Sequence, residues 1–420
     1  MGAVWVCTFC RGVLSAQVRA ERAVPGTGGV RKPSISDTLR QLMTEGVLDP
    51  DGLFRRPTGA DRARDLPADD DEMVTPRIRG VIYDAGTVFG RGQRPTRRHL
   101  DERVMRREVE VIRDELHATH VRVVASDPAR LDTVAAAVAE AGLGLWYSPA
   151  VFDYDPAETT RNTVAMASHA EALRRRLGGQ VSFVAGSEAT LFVRGLVPGK
   201  RLTDRFARIK ADPSLLHSGD LARYLTTLAA ELRPVFGGPL TYASLSFEQP
   251  DWRSFDIVGV DHYRDDRVKD RYLEMLGPHL ATGLPVVVSE VGMRTYAGAS
   301  ASGALGFGIT DTTSFVLHQL FGRLVRVRNK PGYVRDEAGQ ASELDETLSI
   351  LEGSAVAGWF LASFSTPDTF YDDDPRYDRD MDGMSLVKGL PDGIESQRWP
   401  GERYDAKAAF DVVAGHYANP

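Results

Sequence analysis

Cysteine is nearly absent from this chain of 420 residues: Cys7 and Cys10 are the only two, both close to the start. That excludes a disulfide framework, and one C-x-x-C with no second pair and no adjacent histidine is a poor basis for zinc or redox chemistry. Lysine is almost as scarce, seven of the 51 basic residues, the rest being arginine. With abundant Ala, Gly and Val, this reads as a GC-rich coding bias rather than a charge function. The net charge is −7, the pI about 5.8, and there is no large basic block, which argues against nucleic acid or an anionic membrane as a partner. No apolar run approaches the ~18 residues that a membrane span needs. Met1 to Ala20 have neither a basic n-region nor a long h-region, so no secretory signal is expected and the cytoplasm is the expected compartment.

The chain divides near residue 78. Residues 1–78 are expected to form a largely disordered extension. It holds one short helix, Ser36 to Gly46, capped by Ser36 or Asp37, and an acidic cluster, Asp69-Asp70-Asp71-Glu72. Over residues 79–420 strands and helices alternate. Apolar runs predict strands at 79–84, 120–126, 144–149, 181–188, 239–245, 257–263, 284–292 and 358–364. Helices are predicted at 101–116, 128–141, 156–177, 218–236, 267–280, 336–352 and 406–417, with a short, ill-defined link between the fifth and sixth strands. Eight strand–helix units in a segment this long predict a (β/α)8 TIM barrel with long loops. A doubly wound sheet offers no reason for eight units, and the first strand is not followed by G-x-G-x-x-G.

A barrel of this kind places its active site at the carboxyl ends of the strands. The polar residues there are Asp84, Arg122, Glu188, His262, Tyr263 and Glu290. Val184, Gly186 and Glu188 share one parity, and Val286, Val288 and Glu290 another, so each glutamate is expected to continue an inward-facing row. Two carboxyls meeting across the barrel mouth are what glycosidic-bond hydrolysis needs. Asp84 binds a substrate hydroxyl or pairs with an arginine, and His262 lines the cleft or packs behind it. Trp146, Tyr147, Trp359, Phe364 and Trp399 are candidates for a face on which a sugar ring stacks.

With Glu188 ending the fourth strand and Glu290 the seventh, the chain resembles the retaining (β/α)8-barrel glycoside hydrolases of clan A over about Arg79 to Tyr417. The resemblance implies that Glu188 is the acid/base and Glu290 the nucleophile. It also implies that Arg122 holds the nucleophile and that Tyr263 hydrogen-bonds it. Ser187 stands where many of those enzymes have an asparagine that reads the sugar 2-hydroxyl, so substrate binding there is expected to differ. No cofactor is implied, and the expected partner is a small-molecule carbohydrate. The phrases Arg79-Gly80-Val81-Ile82-Tyr83-Asp84 and Asp378-Arg379-Asp380-Met381 also resemble actinobacterial barrel proteins commonly labelled abortive infection proteins. That leaves two alternatives open: a barrel that binds carbohydrate or protein in a defence role without hydrolysis, and a glycosidase-like barrel acting on a non-sugar biosynthetic substrate.

Three long loops, 192–217, 294–334 and 366–405, are expected on the active face as lids or walls, the second with a helix near 313–327. The third carries Asp372-Asp373-Asp374 and then Asp378, Asp380 and Asp382 in a D-x-D-x-D-G run. This matches the opening of a calcium loop, but Gly389 stands where the closing bidentate glutamate belongs. These carboxylates hold Ca2+, receive a cationic substrate such as an amino sugar, or form a solvated acidic loop.

Overall fold

The computed structural model describes residues 77–177, 180–217, 219–301, 308–321 and 324–418. The N-terminal extension, with Cys7, Cys10, the 36–46 helix and the acidic cluster, lies outside the described residues.

Eight parallel strands close into a barrel in sequence order. They are β1 (Ile78–Gly86), β2 (His120–Ala125), β3 (Gly144–Pro149), β4 (Val181–Ser187), β5 (Leu240–Leu245), β6 (Ile257–Asp261), β7 (Val286–Val291) and β8 (Gly358–Leu361). Closure comes from β1 pairing with β8, Ile78 opposite Gly358 through Val81 opposite Leu361. The helices begin where cap chemistry directs. Asp101 accepts the Val104 N–H at the start of α1 (Glu102–Asp114), and Asp127, followed by Pro128, accepts the Arg130 N–H ahead of α2 (Pro128–Glu140). The helix predicted over 156–177 is α3 (Pro156–Leu177), with the same ends.

Two apolar layers follow from strand alternation. One fills the barrel: Ile82, Val124, Trp146, Val184, Ala243, Val287 and Phe360 pack together, with Trp146 and Phe360 ring centroids 4.6 Å apart. Gly80 makes room for them, since a Cβ there would lie 2.3 Å from the Phe360 ring. The other layer, including Val81, Val121, Val123, Phe183, Val286, Val288 and Trp359, faces the helices. Trp359 is wholly buried and packs towards Tyr417 of the closing helix, Ala408–Ala418, so it belongs to the strand–helix interface and not to a sugar-stacking face. Trp146, Tyr147, Phe364 and Trp399 are likewise buried.

The connection between β6 and β7 departs from expectation. In place of a helix over 267–280 there are two 3-10 turns, Lys269–Arg271 and Glu274–Leu276, and a single helical turn, Gly277–Leu280. Pro278 removes an N–H that a continuous helix would use, and Tyr272 is buried against His262, just past the end of β6, with ring centroids 4.2 Å apart. The 294–334 loop holds a helix at Thr312–Phe321, and the 366–405 loop ends in a small antiparallel pair, Val387–Gly389 with Tyr404–Ala406. No helix among the described residues is long and apolar enough to cross a membrane.

Phe360 fills the barrel centre, so Phe360→Ala is expected to lower unfolding free energy by about 3–5 kcal/mol, read from the denaturant midpoint.

Candidate active site

Arg122 alternates with the helix-facing Val121 and Val123 and so points into the barrel, fully buried. Its guanidinium ties four strands together. Nε donates to Ser148 Oγ of β3 at 3.3 Å and Nη2 to Ser187 Oγ of β4 at 2.6 Å. Nη1 donates to the Ser289 carbonyl at 3.0 Å and to Glu290 Oε1 at 3.4 Å, both on β7.

Glu290 does not reach this cavity by the parity expected of it. Val286 and Val288 face the helices, while Val287 faces the barrel interior. The inward turn comes from a bulge. Val260 pairs with Val288, but Asp261 pairs with Glu290, leaving Ser289 as an extra residue. Glu188 is turned by a similar irregularity, since Val184 pairs with Thr241 but Ser187 with Ala243. Glu188 then sits in the left-handed region at φ +47°. For a side chain with a Cβ this costs about 1–2 kcal/mol and persists only where the surroundings over-determine it.

The surroundings do so through Glu248 and Tyr242. Glu188 N–H donates to the Ala243 carbonyl at 2.8 Å, and Ala189 N–H to Tyr242 Oη at 2.6 Å. Tyr242 Oη donates to Glu248 at 2.7 Å. Glu248 also accepts the Thr190 N–H and hydroxyl and the Leu245 N–H. The backbone on both sides of Glu188 is thereby clamped.

The two glutamates have opposite electrostatic settings. Glu290 Oε2 accepts the Tyr263 hydroxyl at 2.5 Å while Oε1 faces Arg122, so both oxygens are held by donors. Glu188 is only 6% exposed and its Oε2 is buried without a hydrogen-bond partner among the described residues. Burial first, then the charges of Asp261, Glu290 and Glu248, push its pKa well above the usual carboxylate range against the pull of Arg122. Burial and the Glu290 charge also raise Asp261, although Arg122 and the Ser289 hydroxyl oppose them. Tyr263 is raised by burial and by the Glu290 carboxylate, which holds its phenol as a donor.

Other expected site residues are employed elsewhere. Ser187 contributes its oxygen to Arg122. Asp84 Oδ1 accepts the Gly86 and Thr87 N–H groups and the Thr87 hydroxyl, so it shapes the turn after β1, while Oδ2 stays buried without a partner. His262 is buried face to face with Tyr272, with Nε2 against the Tyr272 carbonyl, and burial lowers its pKa to about 4. It is a packed, neutral residue behind the site rather than part of a cleft lining.

In the acidic loop Asp378 and Asp380 accept from Arg335, and Asp380 pairs with the buried Lys407 at 2.8 Å. Asp382 lies 3.8 Å from Arg294, and burial raises its pKa to about 6. The three side chains therefore turn to protein cations, and no cluster of metal-ligating side chains occurs among the described residues.

Asp261, Ser289, Tyr242 and Glu248 were not singled out from sequence. Asp261 had a visible signal, since it directly precedes His262-Tyr263 at a strand end. Glu248 lies in the link after β5, where the sequence gives no periodicity to place it.

No family model and no curated protein matches the sequence. Among solved structures, a GH113 beta-1,4-mannanase is 14% identical over 82% of this chain and 100% of its own, with a TM-score of 0.49. The GH113 beta-mannanase of Alicyclobacillus acidocaldarius in complex with ManMIm is 16% identical over 82% and 98%, at 0.47. A β-glucuronidase from Ruminococcus gnavus is 12% identical over 81% of this chain and 50% of its own, at 0.48. Likeness at this level carries no argument about chemistry, and the barrel stands on its own strand pairing.

Tyr242→Phe removes the link between Ala189 and Glu248 and leaves the buried Ala189 N–H without its acceptor. A loss of about 1–3 kcal/mol is expected by thermal or denaturant unfolding.

Proposed function

We propose that this barrel is a retaining glycoside hydrolase or transglycosidase, with Glu290 as nucleophile and Glu188 as acid/base, acting on a small-molecule glycoside without a cofactor. The observation that carries the reading is the contrast between the two carboxyls. Glu290 is held by a guanidinium and a phenol, the setting of an ionised nucleophile. Glu188 is buried beside other acids, the setting of a carboxyl that keeps its proton at neutral pH.

In the first step Glu290 attacks the anomeric carbon while Glu188 gives its proton to the departing oxygen. Ester formation removes the Glu290 charge, one of the charges that raise Glu188, so Glu188 becomes a better base for the water or acceptor that follows. Arg122 and the Tyr263 hydroxyl receive the carboxylate again when the ester is cleaved.

Near-complete burial of both carboxyls, 6% and 4% exposed, favours a second reading, a barrel that binds a carbohydrate or partner without cleaving it. A panel of activated 2-deoxy-2-fluoro glycosides, followed by peptide mass spectrometry, separates the two. An adduct on the Glu290 peptide, absent from Glu290→Gln, is expected. A full panel with no adduct overturns the hydrolase.

Glu188→Gln is expected to lower kcat on unactivated substrates about 10²–10⁴-fold. The wild-type rate should fall as pH rises past the elevated pKa of Glu188, because the acid is then lost, and this alkaline limb should vanish in Glu188→Gln on aryl substrates. The same shift bears on stability. Its folded pKa lies above the unfolded one, so its contribution is full below the ordinary carboxylate range and is lost as pH rises through the folded value. Glu188→Gln should therefore melt higher than wild type at neutral pH, with the advantage disappearing in acid.

A further inference from the structure

Glu188 occupies the cap position of the helical turn Ala189–Phe192, whose first N–H groups have no acceptor within the turn. A residue with a side-chain oxygen at this position ordinarily takes one of those N–H groups for itself. Glu188 does not. Its side chain makes no capping bond, and its Oε2 has no hydrogen-bond partner among the described residues. A carboxyl bonded to its own turn could not also give a proton to a departing sugar oxygen.

The acceptors that these N–H groups need come from β5 and the link behind it. Ala189 N–H donates to Tyr242 Oη at 2.6 Å, and Thr190 N–H donates to Glu248 Oε1 at 3.0 Å. The Thr190 hydroxyl reaches the same Oε1 at 2.6 Å. Glu248 Oε2 accepts the Tyr242 hydroxyl at 2.7 Å, the Leu245 N–H at 3.0 Å and the Ser244 hydroxyl at 3.3 Å. These donors are neutral and Glu248 is the acceptor at each contact, which is the arrangement of a buried carboxylate. At 3% exposure Glu248 acts through the turn and not on a substrate.

We propose that Glu248 is a positioning residue for the acid/base: it caps the 189–192 turn in place of Glu188, so that the Glu188 carboxyl stays free of its own backbone. The catalytic consequence rests on the glycosidase reading, while the placement of Glu188 rests on the hydrogen bonds alone. Without the Glu248 oxygens, Thr190 N–H becomes a buried donor, and the carboxyl two residues back is the one within its own turn that can take it. Glu188 captured in this way is misplaced. It also gives up its proton at lower pH, because a backbone N–H favours the carboxylate and the Glu248 charge is gone, leaving Arg122, Asp261 and Glu290 around it.

Crystals of full-chain Glu248→Ala test the placement without turnover. The Glu188 carboxyl should be found on the Thr190 N–H; a Glu188 side chain that has not moved, or water on that N–H, overturns the proposal. On the methyl glycoside that wild type cleaves fastest, Glu248→Ala should lower kcat/KM about 10- to 100-fold. The loss should be no more than about threefold on the 2,4-dinitrophenyl counterpart, whose departure needs little help from an acid. The alkaline limb of the methyl-glycoside rate should move about one pH unit toward acid. Equal losses on the two substrates, or an unmoved limb, overturn the positioning role, since a merely loosened fold lowers both rates alike. Should Glu248→Ala fail to fold by thermal melting, Glu248→Gln, which keeps the volume and one acceptor oxygen, takes its place in each measurement. Silence on every glycoside sinks the hydrolase reading, while the crystals still decide what keeps Glu188 off its own turn.

Discussion

A single guanidinium inside a closed barrel sets the terms for everything around it. Arg122 is bonded to groups on β3, β4 and β7 and has no solvent to fall back on. Burying such a charge is unfavourable by several kcal/mol unless it is paired and fully hydrogen-bonded. The acceptor set that satisfies it also fixes the positions of Ser187 and Ser289, the residues immediately before the two glutamates. Solvation of one ion and placement of the residues that precede the two glutamates are thus the same set of hydrogen bonds.

The surplus of acid follows from that scarcity of cation. With Glu188, Asp261, Glu290 and Glu248 near one positive group, the molecule separates the acids by environment. Glu290 receives charged and phenolic donors, Glu248 gathers neutral donors from Thr190, Tyr242 and Leu245, and Glu188 keeps one oxygen without a partner. The acidic loop solves the same problem in the opposite way. There Arg335, Lys407 and Arg294 are brought to Asp378, Asp380 and Asp382, so the charges become ties between the loop and the rim of the barrel. Buried acids of one chain thereby serve both as chemistry and as mortar, depending on how many cations reach them.

Much of the architecture was legible in the sequence because it is written in features that do not depend on distant partners. Pro156 opens a helix that runs to Leu177, the ends its sequence suggests, and runs such as Val286-Val287-Val288 identify strands buried on both faces. What could not be read depends on tertiary context. The 267–280 segment has helical composition, but Pro278 and the burial of Tyr272 under His262 break it into turns. Trp359 looked like a sugar platform because position along a strand does not say which layer a residue joins until the register is known. Glu290 turns inward against the parity expected of it, since Val286 and Val288 face away from the cavity, whereas Val184 on β4 faces the interior as expected.

The extra residue at the end of β7 has a consequence for how such chains diverge. Because Ser289 occupies a position with no counterpart on β6, removing one amino acid there would restore plain alternation and keep the carboxyl behind it inward, but would take away the carbonyl that accepts from Arg122 and the hydroxyl that donates to Asp261. The setting of this barrel mouth is therefore exposed to an indel as much as to a substitution. A descendant could keep both glutamates in its alignment and still have lost the contacts beside them.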